Sequence, residues 1–218
     1  MDINKNEVLR YLGYKNNMAD SKTFAIIEEC LHELNEISKP RYIYNIFNIE
    51  TLGNSINFIS TTLTLNGKNI LAHLKFSGKC AIMAATLGIE VDKQLSINSN
   101  LNLTKAIVMD ACATASIEAL CDIAQLEIKK QAQKLGLCIT SRYSPGYGDL
   151  GIDVQPQIIN VLDAYKKIGL SSTNNCILIP RKSVTAFIGL QNLQNNDNKF
   201  KCLSCNLKDC SFKRSNLT

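Results

Sequence analysis

Tyr42-Ile43-Tyr44-Asn45-Ile46-Phe47-Asn48-Ile49 alternates apolar and polar side chains and is dense in β-branched and aromatic residues, the signature of a strand with one covered face. Two further short runs follow, at 56–59 and 62–65, with Gly53-Asn54 and Asn66-Gly67 reading as turns. Strands this closely spaced pair antiparallel. Late strands are expected at 176–179 and 184–189, joined through Pro180-Arg181-Lys182. Helices flank these strands. One is short, over 6–12, and ends at Gly13. In another, Asp20 is the N-cap, Phe24, Ile27, Leu31, Leu34 and Ile37 recur at helical spacing, and Pro40 closes the segment. A short helical piece over 69–74 leads to a buried run at 80–86. The longest helix runs over 103–134 and ends at Gly136, with small residues Ala111, Ala113, Ala115, Ser116 and Ala119 allowing close backbone approach. A last helix covers 155–168, with Pro156 in its first turn. Hairpins mixed with long helices, without an internal repeat, predict one α+β domain over 1–192, followed by a polar linker and cysteine-rich tail over 193–218.

The chain has 218 residues, 45% hydrophobic and 20% charged, enough to bury a core without disulfide staples. Its net charge of +5 is scattered. The densest basic patch, Lys129, Lys130 and Lys134, reads as a solvated helix face because no aromatic stacking residues accompany it, so no nucleic-acid partner is expected. No run approaches about 18 apolar residues, so no membrane span is expected. The opening residues lack the apolar core of a signal peptide. Nine cysteines, an odd number, fit reduced thiols and a cytoplasmic location. His32 and His73, each on a helix, read as structural.

Three constellations could carry chemistry. The first is Arg142-Tyr143-Ser144-Pro145-Gly146-Tyr147-Gly148-Asp149, after the apolar run 137–139. Pro145 sets its own φ, Gly146 and Gly148 admit positive φ or close approach, Arg142 offers a planar fork for an anion, and the tyrosines offer flat walls. Such a loop can hold a small molecule with an anionic end and a ring. It can equally be a tight strand-to-helix turn whose arginine pairs on the surface. The second is Glu118, within the small-residue part of the long helix, where a buried carboxylate needs a partner: a ligand ammonium or a protein arginine. It can instead face water on one polar stripe with Asp122. The third is Cys202, Cys205 and Cys210, whose spacing can place thiolates on zinc or an iron–sulfur cluster; a redox pair or unligated thiols are the alternatives. No dinucleotide fingerprint, Walker loop, H-E-x-x-H or G-x-S-x-G is present. No nucleophile can be assembled with its base, which favours a binding protein over a hydrolase.

Arg142, Pro145, Gly146 and Tyr147, with Ser116-Ile117-Glu118-Ala119 and Ser183-Val184, resemble the reactivation domain of cobalamin-dependent methionine synthase, a module that binds S-adenosylmethionine. The opening Glu7-Val8-Leu9-Arg10-Tyr11-Leu12-Gly13-Tyr14 and the cysteine tail look like the free-standing bacterial members of that superfamily. The resemblance implies a curved antiparallel sheet with packed helices and S-adenosylmethionine as ligand, contacted by Glu118, Arg142, Ser144, Gly146 and Tyr147. Arg142 would hold the methionyl carboxylate and Glu118 the ammonium, while the Tyr147 ring would face the sulfonium. It implies as partners a corrinoid methionine synthase, which supplies the cobalamin, and a flavodoxin-type or ferredoxin-type reductant. The implied function is reductive methylation of an oxidised cobalamin in a synthase lacking its own such domain. A metal- or cluster-binding accessory protein of corrinoid metabolism and a non-catalytic S-adenosylmethionine sensor are the alternatives. Two departures stand out: no residue is assigned to the family's amino-terminal ligand-binding aspartate, and Gly148-Asp149 follows Tyr147. With its loop expected to face solvent, Arg142→Ala is expected to leave folding largely unaffected.

Overall fold

The computed structural model describes residues 3–14 and 19–192. Its centre is β4 (Ser77–Thr86), whose run Cys80-Ala81-Ile82-Met83-Ala84-Ala85 is buried on both faces. Alternation in a strand sends odd and even residues to opposite sides. Ala81, Met83 and Ala85 join one core, whereas Cys80, Ile82 and Ala84 join another. β8 (Ser183–Asn192) pairs antiparallel with β4 and does the same, with Ala186, Ile188 and Leu190 on the first side and Phe187 on the second. β1 (Arg41–Leu52) pairs with the other edge of β4. β2 (Ser55–Phe58), β3 (Thr64–Asn66) and β5 (Leu137–Ile139) complete a six-stranded antiparallel sheet in the order β3-β2-β1-β4-β8-β5. A small hairpin, β6 (Ser171–Ser172) with β7 (Leu178–Ile179), stands apart.

The first face is covered by α1 (Lys5–Tyr11), α2 (Ser21–Ile37), α4 (Ile89–Leu101) and the 32-residue α5 (Leu103–Lys134). The second carries α3 (Lys68–Leu74), α6 (Gln155–Leu162) and α7 (Ala164–Ile168). α5 can lie close to the sheet because its inward residues include Ala111, Ala113, Ala115, Ala124 and Ala132, all buried. The expected α+β domain is therefore observed, with helices on both faces of the antiparallel sheet.

Local signals explain the agreement in detail. The Asp20 carboxylate accepts the Thr23 N–H at 2.7 Å and starts α2, and Asn102 caps α5 by accepting the Lys105 N–H at 3.0 Å. Gly53-Asn54 is the two-residue turn between Leu52 and Ser55, which face each other in the register. Several elements differ from the sequence expectation. The buried run at 80–86 is the central strand. Residues 89–101 form α4, whose weak pattern buries Val91 and Asn98 and exposes Ile89, Ile97 and Leu101. The helix expected over 155–168 breaks at Asp163, which takes a left-handed φ of 52°. Cys176, expected in a strand, has φ 60° and its N–H donates to the Thr173 carbonyl, so only Leu178–Ile179 pairs there. No described helix is long and apolar enough to cross a membrane.

Candidate functional site

The chain leaves edge strand β5 and remains stitched to β8. The Tyr143 N–H donates to the Phe187 carbonyl (2.9 Å), and the Phe187 N–H returns to the Tyr143 carbonyl (2.8 Å). This extended pairing sends successive side chains to opposite faces. Tyr143 enters the second core and is 7% exposed. Arg142 points the other way, onto α5.

There it meets a single helical stripe. Glu118, Asp122 and Gln125 lie at i, i+4 and i+7, the spacing that puts side chains on one face. Arg142 Nη2 donates to Glu118 Oε2 at 2.9 Å, and Nη1 donates to Asp122 Oδ1 at 2.7 Å and Gln125 Oε1 at 3.0 Å. The arginine side chain is 15% exposed, against 32% for Glu118 and 62% for Asp122. Burial opposes its charge, but the bonds to Asp122 and the neighbouring carboxylates outweigh that cost and hold the guanidinium above its ordinary pKa. Glu118 thus has a protein arginine as one partner, on the polar stripe it shares with Asp122. The loop expected to face solvent thus carries a largely covered arginine already bonded to three side chains of α5.

The remainder of the loop is a tight turn. The Tyr147 N–H donates to the Ser144 carbonyl (3.3 Å), which puts Pro145 and Gly146 at the two central positions. Gly146 has φ 90°, so the Pro-Gly pair follows the type II pattern, which needs positive φ at its third residue. The Gly146 N–H also donates to the Leu150 carbonyl (2.8 Å). The turn lifts Tyr147 to 65% exposure. α3 clamps the far side. The Asp149 carboxylate accepts the N–H groups of Lys68 (2.5 Å) and Asn69 (3.1 Å), and the Tyr143 hydroxyl donates to the Tyr147 carbonyl (3.0 Å). His73 Nε2 donates to the Ser141 carbonyl at 2.9 Å and lies 3.0 Å from the Thr140 hydroxyl. Gly148, with φ 58°, has no room for a Cβ, which would lie 2.6 Å from the Tyr143 hydroxyl.

Glu118 and Tyr147 both border a cleft of about 1150 Å³ between α1, α4 and α5. Along α5 it runs from Glu118 to Leu103, roughly 22 Å at the helical rise. Arg10 and Tyr11 of α1, Asp92 and Leu95 of α4, and Arg181 and Lys182 before β8 also line it. Lys182 Nζ is held by Asp110 Oδ1 and Thr114 Oγ1, each at 2.8 Å, and the Arg181 N–H donates to Asp92 Oδ2 at 2.6 Å. Of the expected site residues, the structure brings Glu118 and Tyr147 to the cleft. Arg142 stands beside Glu118, and Ser144 and Gly146 build the turn. Sequence reading did not single out Arg10, Tyr11, Asp92, Asp110 or Lys182 for the site, because their roles arise from contacts between distant segments. Cys202, Cys205 and Cys210 lie outside the described residues. Among the described residues, no cluster of three or more His, Cys, Asp or Glu could hold a metal ion.

No family model matches this chain, and no curated protein matches it. Among solved structures, the crystal structure of the MetH reactivation domain bound to AdoHcy is similar to it, with a TM-score of 0.67. The match covers 86% of this chain and 73% of that one at 14% sequence identity. The two chains share a fold: a single α+β domain on an antiparallel sheet.

Proposed function

We propose that this chain binds S-adenosylmethionine and its demethylated product in the cleft bordered by Glu118 and Tyr147, and that it supports reductive methylation of the cobalamin of a methionine synthase lacking its own activation domain. One observation carries the reading. A fold shared with a domain crystallised with AdoHcy brings Glu118 and Tyr147, two residues of the sequence resemblance, to one cleft with the Arg142 turn beside it. The corrinoid of the partner supplies the nucleophile for such a transfer, so this chain has only to bind and orient the methyl donor. That fits the lack of a nucleophile–base pair in its sequence.

Each residue has a task in this reading. Glu118 places negative charge at the cleft edge for the ligand's ammonium. Arg142 braces that carboxylate from behind and, by exchanging its bond to exposed Asp122, can turn its fork toward the ligand carboxylate. The Ser144–Tyr147 turn, with Gly146 at its corner, presents the Tyr147 ring, whose face attracts a sulfonium. A flavodoxin-type or ferredoxin-type donor would supply the electron, in the cytoplasm.

Titration of Glu118→Gln against the wild type tests the assignment. Gln keeps an acceptor for Arg142 but removes the charge, so S-adenosylhomocysteine should bind about tenfold or more weakly, in line with roughly 1.5–3 kcal/mol for a bond to a charged group. The loss should shrink for an analogue lacking the α-amino group. Equal losses for both ligands would assign Glu118 to the scaffold.

A further inference from the structure

We propose that the amino-terminal helix completes this ligand site, with the Tyr11 ring receiving the adenine of the nucleoside ligand. The inference rests on the reading above and assigns a wall of the cleft that the Arg142 loop does not supply.

α1 divides its side chains between two tasks. Val8 and Leu9 are fully buried in the core shared with α5, whereas Arg10 and Tyr11 line the cleft. Tyr11 and Tyr147 are the two aromatic residues among those lining it, and they differ in setting. Tyr147 is exposed on its turn; Tyr11 is half-buried and packs against the core. A purine needs a flat, partly desolvated surface, and Tyr11 meets that description better.

The Tyr11 ring is also held. The Arg10 guanidinium lies 4.2 Å from its centroid, and Arg10 is itself pinned by Glu7, whose Oε2 accepts from Nε (3.1 Å) and Nη2 (2.7 Å). A guanidinium stacked on a tyrosine forms a rigid plate that loses little freedom when a ring settles against it. Burial first, and then the negative charge of Glu118, push the Tyr11 hydroxyl above its ordinary pKa, so it stays protonated at neutral pH. Tyr11 and Glu118 both line the cleft, so a ligand held by Glu118 shares it with the Tyr11 ring.

The test uses the full chain and two ligands: S-adenosylhomocysteine and 5′-methylthioadenosine, which keeps the nucleoside and lacks the amino-acid end. Tyr11→Leu should weaken both by the same factor, roughly tenfold, as expected for loss of one base–aromatic stack. Tyr11→Phe, which keeps the ring, should stay within about twofold of wild type. The chain contains no tryptophan, so Tyr11→Trp introduces a single reporter. Its emission should fall with either nucleoside and not with homocysteine. Wild-type affinity for S-adenosylhomocysteine in Tyr11→Leu overturns the inference, as does a loss confined to that ligand with 5′-methylthioadenosine unaffected. If Tyr11→Leu does not fold, unquenched emission from saturated Tyr11→Trp overturns it. A wild-type chain that binds neither nucleoside removes the parent reading, a distinct failure.

Discussion

Arg142→Ala should destabilise the fold itself, by about 2 kcal/mol. The guanidinium makes bonds of 2.7, 2.9 and 3.0 Å to three α5 side chains from a position 15% exposed. Breaking a fully buried ion pair by removing one partner costs about 3–5 kcal/mol, because the other charge is left without compensation. That figure is too large here, since Asp122 is 62% and Glu118 32% exposed and water can solvate both once the arginine has gone. The Asp122 contact is therefore worth no more than a surface pair, up to about 1 kcal/mol. The half-covered Glu118 contact and the covered arginine stem contribute roughly 1–2 kcal/mol more. For a chain of this size the midpoint of thermal unfolding should drop by roughly 4–8 °C. Urea unfolding is the direct assay, with an unchanged slope and a lower midpoint. A cycle with Glu118→Gln should show coupling of about 1 kcal/mol. A mutant within about 0.5 kcal/mol of wild type would refute this reasoning and restore the picture of a solvent-facing loop arginine.

Asp149→Ala should cost about 1–2 kcal/mol by removing the acceptor for the Lys68 and Asn69 N–H groups, and Asp149→Asn, which keeps one acceptor, should recover part of it; equal stability of all three proteins in urea would refute the clamp. If Cys202, Cys205 and Cys210 form a metal site rather than a redox pair or unligated thiols, anaerobically prepared full chain should hold near-stoichiometric zinc or iron, lost in Cys205→Ser. Metal-free protein with all three thiols titratable removes that expectation.

What the sequence disclosed was local. Asp20 and Gly136 act within a few residues of the helix ends they mark, and Gly53-Asn54 joins neighbouring strands, so each left a readable signal. α4 left almost none, because it buries only two residues and begins at Gly88 without a side-chain cap. The run at 80–86 hid its identity as the central strand because burial on both faces erases the alternation that marked β1. For the site, the Pro-Gly turn was legible from residue types alone. The partner of Arg142 was not, since Glu118 reaches it across 24 positions and only the antiparallel placement of β8 beside the loop sets the meeting. Tyr11 and Lys182, from opposite ends of the described chain, were invisible as parts of one cleft for the same reason.

Calorimetric titration of the wild-type chain with S-adenosylmethionine and S-adenosylhomocysteine tests the central claim most directly. The account predicts saturable binding of each at one molecule per chain, competition between them, and stabilisation of the fold by about 2.7 kcal/mol at a ligand concentration one hundred times the dissociation constant. Absence of binding heat together with an unfolding midpoint unmoved by excess of either ligand would contradict it, leaving the shared fold without the shared ligand.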